Sequence, residues 1–254
     1  MVSSPAAVLH DDEAWKQRVW YVFVATVLCA CAYFARNLQW GVLWDYRGML
    51  LAGLGISWLY SIIAIVVGMA VGTALAACRI YAIGPVRIAA AAVVETIRAT
   101  PHLMIFLWVF FVAPEVTHRS LDPGWAAVIA LTLIATAYLS EVMRAGILSV
   151  DRYQPESAYA TGLNRMAILW YVVLPQAFRN MIPALVATVV MLFKTTSLMY
   201  VIGVIDFFGA IQIVKNVALV PFVVYAAAAI VYYVCSYALS SVVKRLDANY
   251  VLTQ

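Results

Sequence analysis

Long uncharged runs alternate with short polar segments along most of the chain. Six of these runs carry almost no charge, and each has roughly the 20 residues that a helix needs to cross a bilayer. They are residues 19–35, 48–78, 88–114, 123–140, 180–205 and 216–243. The pattern predicts an all-α integral membrane protein with about six transmembrane helices.

The composition supports a surface that faces lipid. Of the 254 residues, 66% are hydrophobic and only 11% are charged, whereas a soluble domain needs roughly a quarter of its residues charged. The first run, 19–35, has small residues at its end, as a signal peptide has, but its apolar part is longer than a usual signal core. We therefore interpret it as a retained transmembrane helix.

Lysine and arginine residues near the run ends predict the orientation. With the N-terminus inside, ten basic residues lie on the cytoplasmic side and four on the outer side. The inner set is Lys16, Arg18, Arg79, Arg87, Arg144, Arg152, Arg165, Arg179, Lys244 and Arg245, and the outer set is Arg36, Arg47, Arg119 and Lys215. Both termini are therefore expected in the cytoplasm. The net charge of +4 reflects topology and anionic headgroups, and no nucleic-acid patch is predicted.

The expected organisation follows from these runs. Residues 1–18 form a cytoplasmic tail, 19–47 an extra transmembrane helix with an outer loop, 48–245 the transmembrane domain and 246–254 a second cytoplasmic tail. Residues 148–179 form a cytoplasmic loop within that domain, and about 30 residues are too many for a simple connection.

The sequence of this loop, QPESAYATGLNRMAILWYVVLPQAFRN at 154–180, predicts two short helices. Pro155 suits the first position of a helix over 156–161, and Gly162 suits a left-handed residue at its end. Asn164 can cap a second helix over 165–173, and Leu174-Pro175 is expected to stop it. A passive interfacial hairpin is the alternative, but helices this short are marginal alone and indicate a docking partner.

No catalytic or metal site is predicted. The three histidines are scattered, no Gly-x-Ser-x-Gly occurs, and the four cysteines lie inside the apolar runs without metal-ligand spacing. The segment FKTTS at 193–197 lacks the glycines of a nucleotide-binding loop, so this chain is expected to bind no cofactor.

The loop resembles the coupling motif of ABC importer permeases. That motif reads Glu-Ala-Ala, three residues, Gly, nine residues, an aliphatic residue, one residue, Leu-Pro. This chain matches every spacing, with Ser157 for one alanine and Val172 for the aliphatic residue. The matching residues are Glu156, Ser157, Ala158, Gly162, Leu174 and Pro175.

Further segments resemble the polar amino-acid uptake branch of these permeases. They are RATPHLMIFLWVFF at 98–111, EVMRAGILSV at 141–150, LPQAFRN at 174–180 and KTTSL at 194–198. With DFF at 206–208, they are most similar to glutamate/aspartate permease subunits. The chain departs from the branch at Tyr153, where glycine is usual, at Ala187, where many relatives have asparagine, and at Thr195, where aspartate or asparagine is usual.

The resemblance implies a five-helix importer core with the extra N-terminal helix added, in the bacterial inner membrane. It implies that an ATPase subunit dimer binds the 156–161 helix, with ATP and Mg²⁺ on the ATPase. It also implies a second permease subunit, identical or related, and an extracytoplasmic amino-acid-binding protein.

Charged residues inside the predicted spans are the candidates for the transport path. Glu95 with Arg98, and Glu141 with Arg144, are three apart and can pair on one helix face, either as polar contacts between helices or as functional groups. Lys194 has no acidic neighbour and is expected near mid-membrane. With Thr195, Thr196 and Ser197 it can meet an amino-acid carboxylate, or it can be buried against a carbonyl or an acid of another subunit. Thr100-Pro101 is expected to kink the third span, either lining the path together with Arg98 or as a packing kink.

Other classes of membrane protein fit less well. An ion-gradient-driven secondary transporter is the main alternative, but such folds show two related halves, and the six runs are dissimilar. A channel lacks a filter-like sequence, and a membrane enzyme lacks a catalytic constellation. The dependence of uptake on nucleotide separates the importer from the secondary transporter.

Overall fold

The computed structural model describes residues 15, 17–26, 36 and 39–251, with side chains up to Ser241. All regular structure in these ranges is helical, which confirms the all-α class. Four of the described helices are long and apolar enough to cross a membrane, and one bent helix pair makes a fifth span. Residues 17–26 are helical, whereas the rest of the predicted first span lies outside the described residues.

Helix α1 (Gly41–Asp45) leads into α2 (Arg47–Tyr81), which packs through small residues, mainly along one neighbour. Its buried positions are Gly53, Ser57, Ser61, Ala64, Gly68, Gly72 and Ala76, spaced by three or four residues on one face. Small side chains let helix backbones approach closely in a membrane.

The neighbour is α5 (Pro123–Leu148), the most buried of the spanning helices. A Cβ added at Gly68 would lie 2.7 Å from the Cβ of Ala135, and one at Gly72 would lie 2.9 Å from the carbonyl oxygen of Thr136. Helix α5 begins where the Asp122 side chain accepts a hydrogen bond from the amide of Gly124 at 2.8 Å, a typical N-cap. The central core lies around α5 and includes Phe106 and Leu192.

The third span is broken, which corrects the expectation of one helix over 88–114. Helix α3 (Gly84–Ala99) and helix α4 (His102–Thr117) meet at an angle of 107°. Thr100 and Pro101 separate them with extended ψ angles of 132° each, because a residue before proline is disfavoured in the helical region. The predicted position of the kink is confirmed.

Helix α6 (Tyr153–Ala160) is followed by α7 (Arg165–Ile202), a continuous helix of 38 residues. The prediction that Leu174-Pro175 stops the second helix is wrong. The turn Leu169–Val173 is π-helical, and the Gln176 side chain donates to the carbonyl of Val172 at 3.0 Å. A π-helical turn is one of the local adjustments that allow a helix to continue past a proline. The fifth span is therefore the end of this helix and not a separate helix over 180–205.

Two more helices complete the far end of the bundle. Helix α7 ends at Gly203, which has a φ of 92°, and α8 (Phe207–Ala218) follows. Leu219, with a φ of 55°, separates α8 from α9 (Pro221–Val251). The predicted sixth span at 216–243 therefore starts too early, because Asn216 belongs to α8 and the spanning helix begins at Pro221.

Candidate functional site

A glycine corner joins α6 to α7, as the sequence predicts. Gly162 has a φ of 89°, in the left-handed region, and its amide donates to the carbonyl of Tyr159 at 3.0 Å. Asn164 then caps α7, since its side chain accepts from the amide of Ala167 at 2.8 Å. Both conformational predictions are confirmed. The corner, which we call the coupling corner (residues 153–168), joins one short helix to one long helix and not two short helices.

The start of α6 differs from the predicted 156–161. The Asp151 side chain accepts a hydrogen bond from the amide of Tyr153 at 3.0 Å, so the cap lies further upstream and the helix begins at Tyr153. Pro155 consequently lies third in the helix rather than first. It is tolerated there because first-turn amides have no partner within the helix.

The face of α6 is open to solvent in the single chain. Glu156 and Ser157 are exposed, and Ala158 is half-buried. A groove of about 690 Å³ lies between α6, α7 and the end of α2. Glu156 and Tyr159 of α6, Met166 of α7 and Tyr81 of α2 line it. Leu174 and Pro175 lie two turns along α7 and line a second groove with Phe178. The motif residues therefore fall in two groups along one continuous piece of chain.

Five charged side chains meet where α2 ends against α3 and α5. Both predicted intrahelical pairs form: Arg98 lies 3.5 Å from Glu95, and Arg144 lies 2.6 Å from Glu141. Arg79 of α2 connects them, with Nη2 3.1 Å from Glu95 and Nη1 2.8 Å from Glu141. We call these residues the five-charge cluster.

Arg79 is the member of the five-charge cluster that local sequence does not indicate. It has no acidic residue within a helical turn, and its partners are 16 and 62 residues away along the chain. The sequence does contain one signal for Arg79: it lies at the end of a predicted span, level with the ends of the two spans that carry the charged pairs. Its side chain is only 8% exposed.

Lys194 lies in a different place from Arg98. It is in the last turn of the regular α-helical part of α7, which begins at Arg165 and not at residue 180, and its depth in the membrane stays a prediction. Lys194, Thr195 and Ser197 line an open depression of about 430 Å³ together with Ala187. Thr196 does not line it, because its side chain is buried and donates to the carbonyl of Phe193.

Arg98, by contrast, belongs to the five-charge cluster, and its guanidinium also lies 5.8 Å from the centre of the Tyr138 ring. Thr100 donates to the carbonyl of Thr96 at 2.7 Å and lies at the bend with Pro101. The structure therefore separates the predicted path residues into the depression around Lys194 and the bend beside Arg98.

Asp206 is a buried group that the sequence pattern did not single out. It is fully buried and caps α8 through the amide of Gly209 at 2.9 Å. Its other carboxyl oxygen accepts from Ser57 of α2 at 3.3 Å, and the amide of Phe207 donates to the same serine. A Cβ at Gly53 would lie 2.7 Å from the Asp206 carbonyl oxygen. Asp206 therefore holds α8 against α2.

The described helices and their charged junction define a membrane protein with several spanning helices and a short helix carried outside them. Residues 64–251 match the family described as binding-protein-dependent transport system inner membrane component. This chain belongs to that family.

Individual relatives and a solved structure agree with the family. The glutamate/aspartate import permease protein GltK of Escherichia coli O6:H1 is 35% identical over 179 residues, which cover 68% of this chain and 80% of the relative. The arginine transport system permease protein ArtQ of Bacillus subtilis is 33% identical over 170 residues, 67% of this chain and 78% of the relative. The crystal structure of an amino acid ABC transporter with histidines superposes with a TM-score of 0.78 at 26% identity, covering 84% of this chain and 99% of that one.

Proposed function

We propose that this chain is the membrane-spanning subunit of an ATP-driven importer of polar amino acids, with glutamate or aspartate as the substrate. The observation that carries the proposal is the continuity of α7. One helix runs from the coupling corner at Arg165 to the depression around Lys194 and ends at Ile202. A displacement of α6 therefore reaches the candidate substrate contacts through a single element.

In this proposal a separate ATPase subunit dimer binds the exposed face of α6 around Glu156. ATP and Mg²⁺ are bound by the ATPase and not by this chain. The groove lined by Glu156 and Tyr159 lies at the start of α7, and the Lys194 depression lies near the other end of α7. This separation supports an energy source at one end of the helix and substrate contact at the other. A second permease subunit and an extracytoplasmic amino-acid-binding protein complete the importer.

The location proposed is the bacterial inner membrane, with both termini in the cytoplasm. The positive-inside pattern supports this orientation, since Arg79, Arg144 and Arg165 all lie near the helix ends at the coupling corner. The extra N-terminal helix belongs to the proposal but lies mostly outside the described residues.

Lys194 supports an acidic amino acid as the substrate. Its ammonium group forms no ion pair or hydrogen bond with any described residue, although it lines a depression. An ammonium without a counter-ion attracts a carboxylate, since the two groups carry opposite charges. Relatives are named for acidic and for basic amino acids; the lysine supports the acidic choice.

The test is uptake into proteoliposomes that contain the complete complex purified from its native membrane. Labelled glutamate, aspartate, glutamine and arginine are supplied outside with the binding protein, and ATP with Mg²⁺ is enclosed inside. We expect uptake of glutamate or aspartate that requires ATP and persists with ionophores that collapse ion gradients. Uptake that needs a gradient and not ATP would establish a secondary transporter instead. ATP-driven uptake of arginine alone would leave the importer intact and refute the acidic substrate.

A further inference from the structure

The five-charge cluster contains more connections than its two intrahelical pairs require. Arg79 contacts a carboxylate on α3 and another on α5 through different nitrogens, at 3.1 and 2.8 Å. Arg98 adds a longer contact of 3.6 Å from α3 to Glu141 of α5. Arg79 therefore joins α2 to both α3 and α5, and Arg98 adds a longer contact between α3 and α5.

The cluster lies next to the coupling corner. Four residues, 149–152, connect the end of α5 to α6. Ser149 at the end of α5 accepts a hydrogen bond from Asn180 of α7 at 2.8 Å, and a Cβ at Gly146 would overlap Met181 of α7. Helices α5 and α7 are thus held together beside α6, one to two turns from Glu141.

Helix α3, in contrast, buries few of its side chains, and the five-charge cluster adds ion pairs between its C-terminal end and helices α2 and α5. Two of its sixteen residues are fully buried, Ala90 and Val94, and several apolar side chains such as Ile88 face outward. It is followed directly by the 107° bend at Thr100-Pro101. The orientation of α3 therefore decides where the bend and α4 lie.

We propose that Arg79 is a positioning residue for transport, which makes α3 follow α5 when the coupling corner moves. The inference rests on the proposed function, because it takes the coupling corner as the entry point of ATP-driven motion. Arg79 does not touch substrate; it acts by transmitting the displacement of α5 to α3 and so to the bend at Thr100-Pro101.

The chemistry of the side chain explains why an arginine is needed. A guanidinium presents several donors in a fixed plane, so that its two terminal nitrogens can serve two carboxylates at once. A lysine has a shorter side chain and one compact charge, so it holds Glu95 and Glu141 less firmly in this arrangement. Arg79→Lys therefore keeps the charge of the cluster while loosening the contact of α2 with both carboxylates, which makes it a sharper variant than Arg79→Gln.

The experiment measures amino acid transported per ATP hydrolysed by the complete complex in proteoliposomes, with the amino acid that wild type takes up fastest. The variants are Arg79→Lys, Arg79→Gln, Glu95→Gln and the double variant Arg79→Gln/Glu95→Gln. Arg87→Lys is the matched control, because Arg87 lies on α3 but is exposed and forms no ion pair among the described residues. Melting temperature and bound ATPase are recorded for each.

We expect Arg79→Lys to lower the transport-to-ATP ratio about fivefold or more, the lower end of typical coupling between sites, with bound ATPase unchanged. Glu95→Gln should lower the transport-to-ATP ratio similarly. The double variant should be no worse than the single ones, because both substitutions break the same contact between Arg79 and Glu95. Arg87→Lys should match wild type.

A merely structural role would lower melting temperature and yield while leaving the ratio at its wild-type value, and that result overturns the inference. Equal ratios in Arg79→Lys and wild type do the same while leaving the proposed function intact. If the wild-type complex itself shows no ATP-driven uptake, the proposed function fails and the inference fails with it.

Discussion

At the scale of single residues, two positions carry most of the functional argument: Gly162 and Lys194. Gly162 is needed for its backbone, since its φ is 89° and no atom lies within 4 Å of an added Cβ. Lys194 is proposed to act through its charge, because it is exposed in a depression without a counter-ion among the described side chains. Substitutions at these two positions therefore test the effect of backbone strain and the effect of charge separately.

Replacing Gly162 with valine should impair transport through backbone strain alone. A β-branched residue in the left-handed region costs roughly 1–3 kcal/mol, and nothing nearby adds a steric clash. We expect Gly162→Val to reduce ATP-driven uptake at least several-fold while the protein still inserts in the membrane. Asparagine tolerates this conformation, so Gly162→Asn serves as the control and should retain most uptake. Full uptake by the valine variant would contradict a role for the corner.

Replacing Lys194 with methionine should weaken the transport of acidic amino acids. We expect the KM for glutamate to rise about tenfold, which corresponds to about 1.4 kcal/mol, while the amount of assembled complex stays constant. Lys215→Met, at the end of α8 and away from the depression, is the control. An unchanged KM in Lys194→Met would remove this residue from the path.

At the scale of elements, close helix packing explains how the displacement of one helix can be transmitted to its neighbour. Helices α2 and α5 touch through glycines that leave no room for a side chain, and packed interfaces of this kind shift as units. Helix α7 contains two prolines, Pro175 and Pro183, and a π-helical turn, yet it stays continuous. In the proposed mechanism, whole helices therefore move, and they are joined at two bends, Gly162 and Thr100-Pro101.

Valine at Gly72 should separate α2 from α5. An added Cβ there meets the Thr136 carbonyl oxygen at 2.9 Å and the Ser140 amide at 3.0 Å, and overpacking of this kind costs roughly 1–3 kcal/mol. We expect a lower melting temperature in detergent. Gly55→Val on the same helix is the control, since nothing lies within 4 Å of its Cβ. Equal melting temperatures for the two variants would show that the helices pack differently.

At the scale of the whole molecule, the single chain leaves its proposed path open. Lys194 is exposed, and large apolar side chains on α3 such as Ile88 and Val93 face outward. A second permease subunit, identical or related, would cover such surfaces and close the path between the two subunits.

Native mass spectrometry of the purified complex should therefore show two permease subunits and two ATPase subunits. Glu156→Arg should release the ATPases, because Glu156 is exposed on the face of α6 that is proposed to bind them, and it should leave the permease pair intact. A wild-type complex with one permease subunit would refute the proposed path. Retention of the ATPases by the Glu156→Arg variant would place their binding surface elsewhere.

Sequence alone was sufficient wherever the physical cause is local. Apolar run length determines which segments can span a bilayer, proline determines the bend at residue 101, and glycine and asparagine determine the corner at 162–164, because each acts on its own backbone or on its immediate surroundings. The same local signals gave the two intrahelical pairs, Glu95 with Arg98 and Glu141 with Arg144.

Only the tertiary structure decided what depends on distant neighbours. The one local exception is Pro175, which does not end α7, because the pattern of apolar residues does not indicate the π-helical turn at Leu169–Val173 before it. Arg79 joins two carboxylates 16 and 62 residues away, and Asp206 is held by Ser57 across 149 residues. Burial, close approach and ion pairs between helices depend on which surfaces meet, and that follows from the packing of the whole bundle rather than from any local run of residues.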